Sequence, residues 1–94
     1  MQPWERSFSN GKRHLAHHRP RPAIVFFRKA LRSCPVENRQ DLAKILFYLG
    51  ISLRKVGLPS SALKSWVTAR NVGKRAYVGR MAARFINDYG MLRQ

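Results

Sequence analysis

The four acidic residues and the single cysteine are the side chains best suited to catalysis. The acids are Glu5, Glu37, Asp41 and Asp88, and they are scattered along the chain rather than paired. Carboxylates that act together must flank one substrate, and a nucleophilic cysteine needs a base beside it. Cys34 has no histidine near it in the chain and ends an apolar stripe, which favours a thiol at the edge of the core. The sequence therefore predicts a protein that is not an enzyme.

Three histidines, His14, His17 and His18, lie together near the N-terminus. In a helix this spacing brings two imidazoles near one metal ion, but no cysteine or acid accompanies them locally to complete a site. We expect incidental metal affinity at most, from a solvated basic segment. Gly11 and Lys12 lack the upstream glycine spacing of a phosphate-binding loop, so nucleotide binding has no support. The sequence predicts neither a metal site nor a cofactor.

Length and charge set the broad class of the protein. A chain of 94 residues suits one small domain, and 19 lysines and arginines against four acids give a formal net charge of +15. At most four of these cations find an acidic partner within the chain, so the others face water or an anionic partner. The apolar share of 45% is too high for a wholly disordered chain, because burying that much surface offsets the entropy of ordering.

Neither a targeting segment nor a membrane span is predicted. The longest apolar run, Ile45 to Ile51, falls far short of the roughly 20 residues that cross a bilayer. Pro3, Glu5 and Arg6 stand where a signal peptide needs an apolar stretch. A single cysteine permits no internal disulfide, so we expect a reducing, cytoplasmic environment.

Two regions of the chain differ in their hydrophobic periodicity. Residues 1–22 combine turn formers and charge with almost no apolar periodicity, which predicts a flexible basic N-terminal arm. Residues 23–94 show helical spacing and no alternation of period two, which predicts a helical domain. Its first helix begins at Ala23, with Pro20 and Pro22 suited to the first turn, and ends before Pro35.

Three further helices are predicted after this one. They begin near residues 38 or 41, 59 and 75, and their ends are marked by Gly57, Gly73 and Gly90. The connections are short, which makes neighbouring helices antiparallel. The expected fold is therefore all-α, with about four helices arranged as antiparallel hairpins.

Small residues recur at fixed spacing in the second and third of these helices. The pattern resembles a tetratricopeptide repeat at Leu46-x2-Leu49-Gly50-x2-Leu53, Gly57, Ala62-x3-Trp66 and Ala69. Glycine and alanine at these positions let two helices approach closely, and an indole ring fills the space between them. A generic four-helix bundle with the same small residues is the alternative.

The first predicted helix resembles the second helix and closing proline of a preceding repeat, at Ala23-x3-Phe27-x2-Ala30-Leu31 and Pro35. Only that half of the repeat is expected. Ala23 and Ala62 are 39 residues apart, whereas tetratricopeptide arrays repeat about every 34, so extra residues belong between Cys34 and Asp41. The resemblance implies one and a half repeats and a C-terminal capping helix, with a homo-oligomer or a partner as one way to cover remaining apolar surface.

The resemblance also implies a binding groove, because the first helix of each tetratricopeptide repeat lines the concave side of the array. Its lining would be Lys44, Phe47, Tyr48, Ile51, Arg54 and Lys55. Cations around an aromatic centre suit an acidic protein partner, so the leading expectation is a non-catalytic adaptor. The family's carboxylate-clamping asparagines are not matched. In the alternative interpretation, the aromatic residues pack beneath the arm or the last helix.

A second function is equally consistent with the charge, namely binding of RNA or DNA, for example by a ribosome-associated protein. The candidate contacts are Lys12, Arg13, Arg19, Arg21, Arg28, Lys29 and Arg32. No recognised nucleic-acid motif accompanies them. A membrane-surface role through anionic lipids ranks behind both.

Overall fold

Helices make up the whole of the described fold. A computed structural model describes the backbone of residues 2–73 and 77–93, and the side chains of residues 2–73 and 80–88. The elements are α1 (Pro3–Ala16), α2 (Pro20–Ser33), α3 (Arg39–Lys55), α4 (Pro59–Val72) and α5 (Tyr77–Arg93). No strand occurs among these residues, so the predicted all-α class is confirmed, with five helices where about four were expected.

The additional helix is α1, which occupies most of the segment predicted to be a flexible arm. That prediction is wrong, and so is the domain boundary after residue 22, because α2 already begins at Pro20. Trp4, Phe8 and Gly11 are buried along one side of α1. Phe8 and Gly11 pack against Phe27 of α2. Two aromatic rings and one glycine thus provide an apolar face that the surrounding charges conceal in the sequence.

Two helical hairpins follow from short connections, residues 17–19 between α1 and α2 and residues 56–58 between α3 and α4. Both contain one residue in the left-handed region, His18 with φ 59° and Gly57 with φ 84°. In both, an N–H beyond the helix donates to a carbonyl of its last turn at 2.9 Å: Arg19 to His14, and Leu58 to Leu53. This Schellman arrangement caps the first helix of each pair and reverses the chain.

The two hairpins repeat one another at an offset of 39 residues. The residues identical at that offset are Phe8 and Phe47, Gly11 and Gly50, Pro20 and Pro59, Ala23 and Ala62, and Ala30 and Ala69. Each glycine lies beneath an aromatic ring of the partner helix. A Cβ at Gly11 would lie 2.6 Å from Cε1 of Phe27, and a Cβ at Gly50 would overlap the indole of Trp66. The missing side chain therefore sets the distance between the helices.

At the centre of the fold is α3, which contacts each of the other four helices. Trp66 of α4 is completely buried against it, as the sequence predicts, and donates its indole N–H to the carbonyl of Phe47 at 3.2 Å. The Ser65 hydroxyl donates to the carbonyl of Leu46 at 2.6 Å. α3 also contacts α1 and α5, while α2 and α4 do not touch within the described residues.

The last helix, α5, packs on α3 and α4. The Phe85 ring meets the rings of Phe47 at 5.1 Å and Trp66 at 5.2 Å, both edge to face. α5 continues through Gly90 to Arg93, so the prediction that Gly90 ends it is wrong. A helical glycine costs only about 1 kcal/mol relative to alanine, which does not by itself end a helix. The predicted start, near residue 75, lies outside the described residues. None of the described helices combines the length and apolar character needed to cross a bilayer.

Candidate functional site

The residues predicted to line a groove on α3 fall into two environments. Lys44, Arg54 and Lys55 are exposed. Phe47 is only 9% exposed, because the Phe85 ring of α5 covers it. Phe47 is therefore not an open apolar contact of the predicted groove, because α5 lies on this part of α3.

Tyr48 is half-buried beneath α1. Its ring meets Phe8 at 5.5 Å, edge to face, and Phe27 at 6.0 Å. The alternative interpretation, in which these aromatic residues pack beneath the N-terminal segment and the last helix, thus describes both Tyr48 and Phe47. Ile51 is also half-buried and packs against the core.

One stripe of the predicted groove remains accessible. Lys44, Tyr48, Ile51 and Lys55 follow one another at steps of four, three and four residues, which places them on a single side of α3. Lys12 of α1 lies beside this stripe, because its Nζ sits 4.9 Å from the centre of the Phe8 ring that covers Tyr48. We call these five residues the inner face. Arg54 lies about a quarter of a turn away from the stripe.

A cleft of about 250 Å³ opens between α1 and α3 at the start of the inner face. Its lining is Trp4, Glu5, Phe8, Ser9, Asp41 and Lys44. Glu5 and Asp41 belong to the first turns of their helices, where a carboxylate offsets the positive end of the helix dipole. The Glu5 carboxylate also accepts the backbone N–H of Gln2 at 3.2 Å. These acids therefore stabilise helix starts and give the inner face one acidic end. The sequence did not indicate this cleft, because the segment that forms α1 was predicted to be a flexible arm.

The seven candidate nucleic-acid contacts all lie on the first hairpin, and all are exposed. They do not form one surface, because some lie on the inner face and others on the exposed side of α2. Lys12 faces the inner side, while Arg21, Arg28 and Arg32 form a stripe on α2 directly opposite the buried side of that helix. Arg13 donates from Nη2 to Oδ1 of Asn10 at 2.8 Å, near the turn.

Comparison with known proteins identifies no relative. No protein-family model matches this chain, and neither a curated protein nor a solved structure matches it significantly.

The histidines do not come together as metal ligands. His14 stacks on Phe26 with ring centres 5.2 Å apart and planes inclined by 11°. The Lys29 ammonium lies 5.5 Å from the centre of the same Phe26 ring. Within the described part of the chain, no group of three histidine, cysteine or acidic side chains could hold a metal ion.

Cys34 lies at the end of α2 and is 5% exposed. Burial raises the pKa of its thiol, and the nearby carboxylates of Asp41 and Glu37 raise that pKa further. The thiolate is the reactive form of cysteine, so this environment makes the side chain a poor nucleophile. Its Sγ points to the carbonyl of Pro35 at 3.7 Å, as a weak donor would.

Proposed function

We propose that this chain is a non-catalytic adaptor with a tetratricopeptide-like scaffold, and that its inner face binds an acidic segment of a protein partner. The observation that carries this proposal is the stripe on α3, where exposed ammonium groups at Lys44 and Lys55 frame the half-buried Tyr48 and Ile51. Lys12 adds a third ammonium group from α1.

Charge and burial together favour a peptide over a small metabolite. Carboxylates of an extended or helical segment can pair with ammonium groups spaced along α3, while its apolar side chains contact Tyr48 and Ile51. The stripe from Lys44 to Lys55 covers eleven residue steps, or about 16 Å of helix. That length suits several consecutive residues of a partner.

The cleft gives the inner face a direction. At the end nearest the helix starts, Glu5 and Asp41 outnumber the single cation Lys44, whereas Lys12 and Lys55 make the other end purely cationic. The acidic segment of a partner should therefore lie against the cationic end. A basic or neutral residue of the same partner should lie against the cleft. Opposed charges of this kind fix the orientation of a bound peptide more than they increase its affinity.

We also propose that the protein is cytoplasmic, and other features support this and the absence of catalysis. Glu5 and Asp41 serve the starts of α1 and α3, and the raised pKa of the Cys34 thiol disfavours nucleophilic attack. Cys34 is a free thiol, which suits a reducing compartment.

Charge reversal on the inner face tests the proposal. A short fluorescein-labelled peptide of alternating glutamate and leucine is titrated against the Lys12→Glu/Lys55→Glu variant, and we expect an affinity loss of about tenfold or more in fluorescence anisotropy. The matched control is Lys64→Glu/Arg70→Glu, which changes two exposed cations of α4 by the same charge. Equal losses in both variants would mean that diffuse charge, not the inner face, attracts the peptide.

A further inference from the structure

The outer side of α2 carries a second concentration of charge, on the other side of the helix from its buried residues. Every residue between Glu5 and Glu37 is neutral or basic, so this part of the chain has no acid of its own to neutralise its cations. We define the outer face of α2 as the exposed residues Arg21, Val25, Arg28, Lys29 and Arg32. Four of these five side chains are cationic, and α2 contains no acidic residue.

The second hairpin shows that the fold does not require these cations. At the offset of 39 residues, the positions of Arg21, Arg28, Lys29 and Arg32 are occupied in α4 by Ser60, Val67, Thr68 and Asn71. Both helices nevertheless bury their two equivalent alanines completely and seat an aromatic ring over a glycine. The cations of α2 are therefore additional to what the scaffold needs.

Local electrostatics also argue against a structural role for these cations. Arg21 lies in the first turn of α2, at the positive end of the helix dipole, where an acid is preferred. Arg19 stands at the N-cap and makes no side-chain capping bond. Arg32 lies in the last turn, where the helix dipole favours a cation. It also faces Arg28 four residues away, and this like-charge pairing destabilises a helix by a few tenths of a kcal/mol. Charges that oppose helix stability at several positions are expected where a surface serves binding.

We infer that the outer face of α2 binds duplex nucleic acid, without sequence preference, through its phosphates. Along the helix axis, about 10 Å separate Arg21 from Arg28 and about 6 Å separate Arg28 from Arg32. A nucleic-acid duplex carries about one negative charge per 1.7 Å of its axis. Each guanidinium group of the stripe can therefore pair with a phosphate. Arg19 extends the cationic surface at the start of the helix.

The aromatic residues of this hairpin favour a duplex over a single strand. Proteins that bind single strands stack bases on aromatic rings. Phe26, the aromatic ring nearest the outer face, already stacks on His14 and has the Lys29 ammonium above it. An acidic protein is also less suited, because Val25, 53% exposed, is the only apolar residue of the outer face. Phosphates need no apolar or stacking contact.

Duplex binding by three full-length variants tests the inference. Removing the stripe with Arg21→Gln/Arg28→Gln/Arg32→Gln should weaken binding of a fluorescein-labelled random-sequence DNA duplex at least tenfold. The slope of log affinity against log salt should become shallower by about three units, since each lost phosphate contact contributes about 0.9. The control Lys64→Gln/Arg70→Gln/Arg80→Gln removes the same charge from exposed positions of α4 and α5 and should change the affinity less than about threefold.

Transfer of the charge to the second hairpin completes the test. Adding Ser60→Arg/Thr68→Lys/Asn71→Arg to the stripe-free variant places three cations at exposed positions of α4, the equivalents of Arg21, Lys29 and Arg32. We expect this change to restore most of the duplex affinity. Circular dichroism confirms the helix content of each variant. Equal weakening by the control, equal affinity for a single strand, or displacement of the duplex by the acidic peptide would each overturn the inference. The stripe-free variant should still bind that peptide, so the two proposals fail separately.

Discussion

The α1–α2 and α3–α4 hairpins share an interior and differ in almost everything outside it. In both, a glycine of the first helix receives an aromatic ring of the second, two alanines of the second helix are buried, and a left-handed residue reverses the chain. Outside these positions, the four cations on the outer face of α2 have uncharged residues at the equivalent positions of α4. Packing between helices therefore requires the same residue types at a few positions that are 39 residues apart. The exposed positions are not constrained in this way, so the two surfaces can bind different partners.

The shared interiors are not identical. The Trp66 indole donates a hydrogen bond to α3 and meets Phe85 of α5. Phe27 has no polar group and instead contacts Phe8 and Tyr48. The second hairpin is thus stabilised by the Trp66 hydrogen bond and by neighbouring helices on both sides, the first hairpin and α5. The first hairpin depends on contacts between aromatic rings and on its packing against α3.

The largest expected effect comes from removing the ring at the centre of each hairpin. Trp66→Ala and Phe27→Ala should each lower the free energy of unfolding by about 3–5 kcal/mol, because both rings are fully buried and leave a cavity. Urea titration followed by circular dichroism measures the loss. If Phe27→Ala produces two separate transitions, the first hairpin unfolds independently and the two hairpins are not one cooperative unit.

A smaller and unequal effect is expected from the glycines. Gly50→Ala should destabilise the protein by about 1–3 kcal/mol, because its Cβ would displace an indole fixed by a hydrogen bond. Gly11→Ala should cost less, since the Phe27 ring can shift without losing such a bond. Thermal unfolding of the two variants makes the comparison, and a greater loss at Gly11 would contradict this account of the difference.

The smallest effect is expected at the left-handed residues of the two turns. A residue other than glycine in the left-handed region costs about 1–2 kcal/mol. Glycine avoids this cost but loses more backbone entropy on folding, so His18→Gly should stabilise the protein by a net amount of about 1 kcal/mol. Gly57→His should destabilise it by a similar amount, since open space surrounds Gly57 and only the backbone angle opposes a side chain. The two changes should shift the urea concentration at the midpoint of unfolding in opposite directions. Shifts in the same direction would contradict the equivalence of the two turns.

Much of the scaffold could be predicted from the sequence, because packing between neighbouring helices depends on local spacing. The burial of Trp66 against α3 followed from Gly50 and two alanines. The separation of sixteen residues between Gly50 and Trp66 recurs between Gly11 and Phe27, and that recurrence is the signal that could have revealed α1. Charge-rich residues around a sparse apolar face concealed it.

The surface was harder to predict than the scaffold. Helical periodicity places Phe47 and Tyr48 about 100° apart around α3, but it does not show which other helix covers each ring. Here α5 covers Phe47 and α1 covers Tyr48. The cleft between α1 and α3 needs side chains from both helices. Such features depend on contacts between distant segments, which the spacing within one helix does not report.

The central place of α3 has a consequence for communication along the chain. α3 contacts each of the other described helices. A ligand that shifts α1 at the cleft would therefore also act on α3, which α5 contacts as well. The first and last described helices are thus linked through one helix. A displacement of α3 would therefore alter the packing of both α1 and α5.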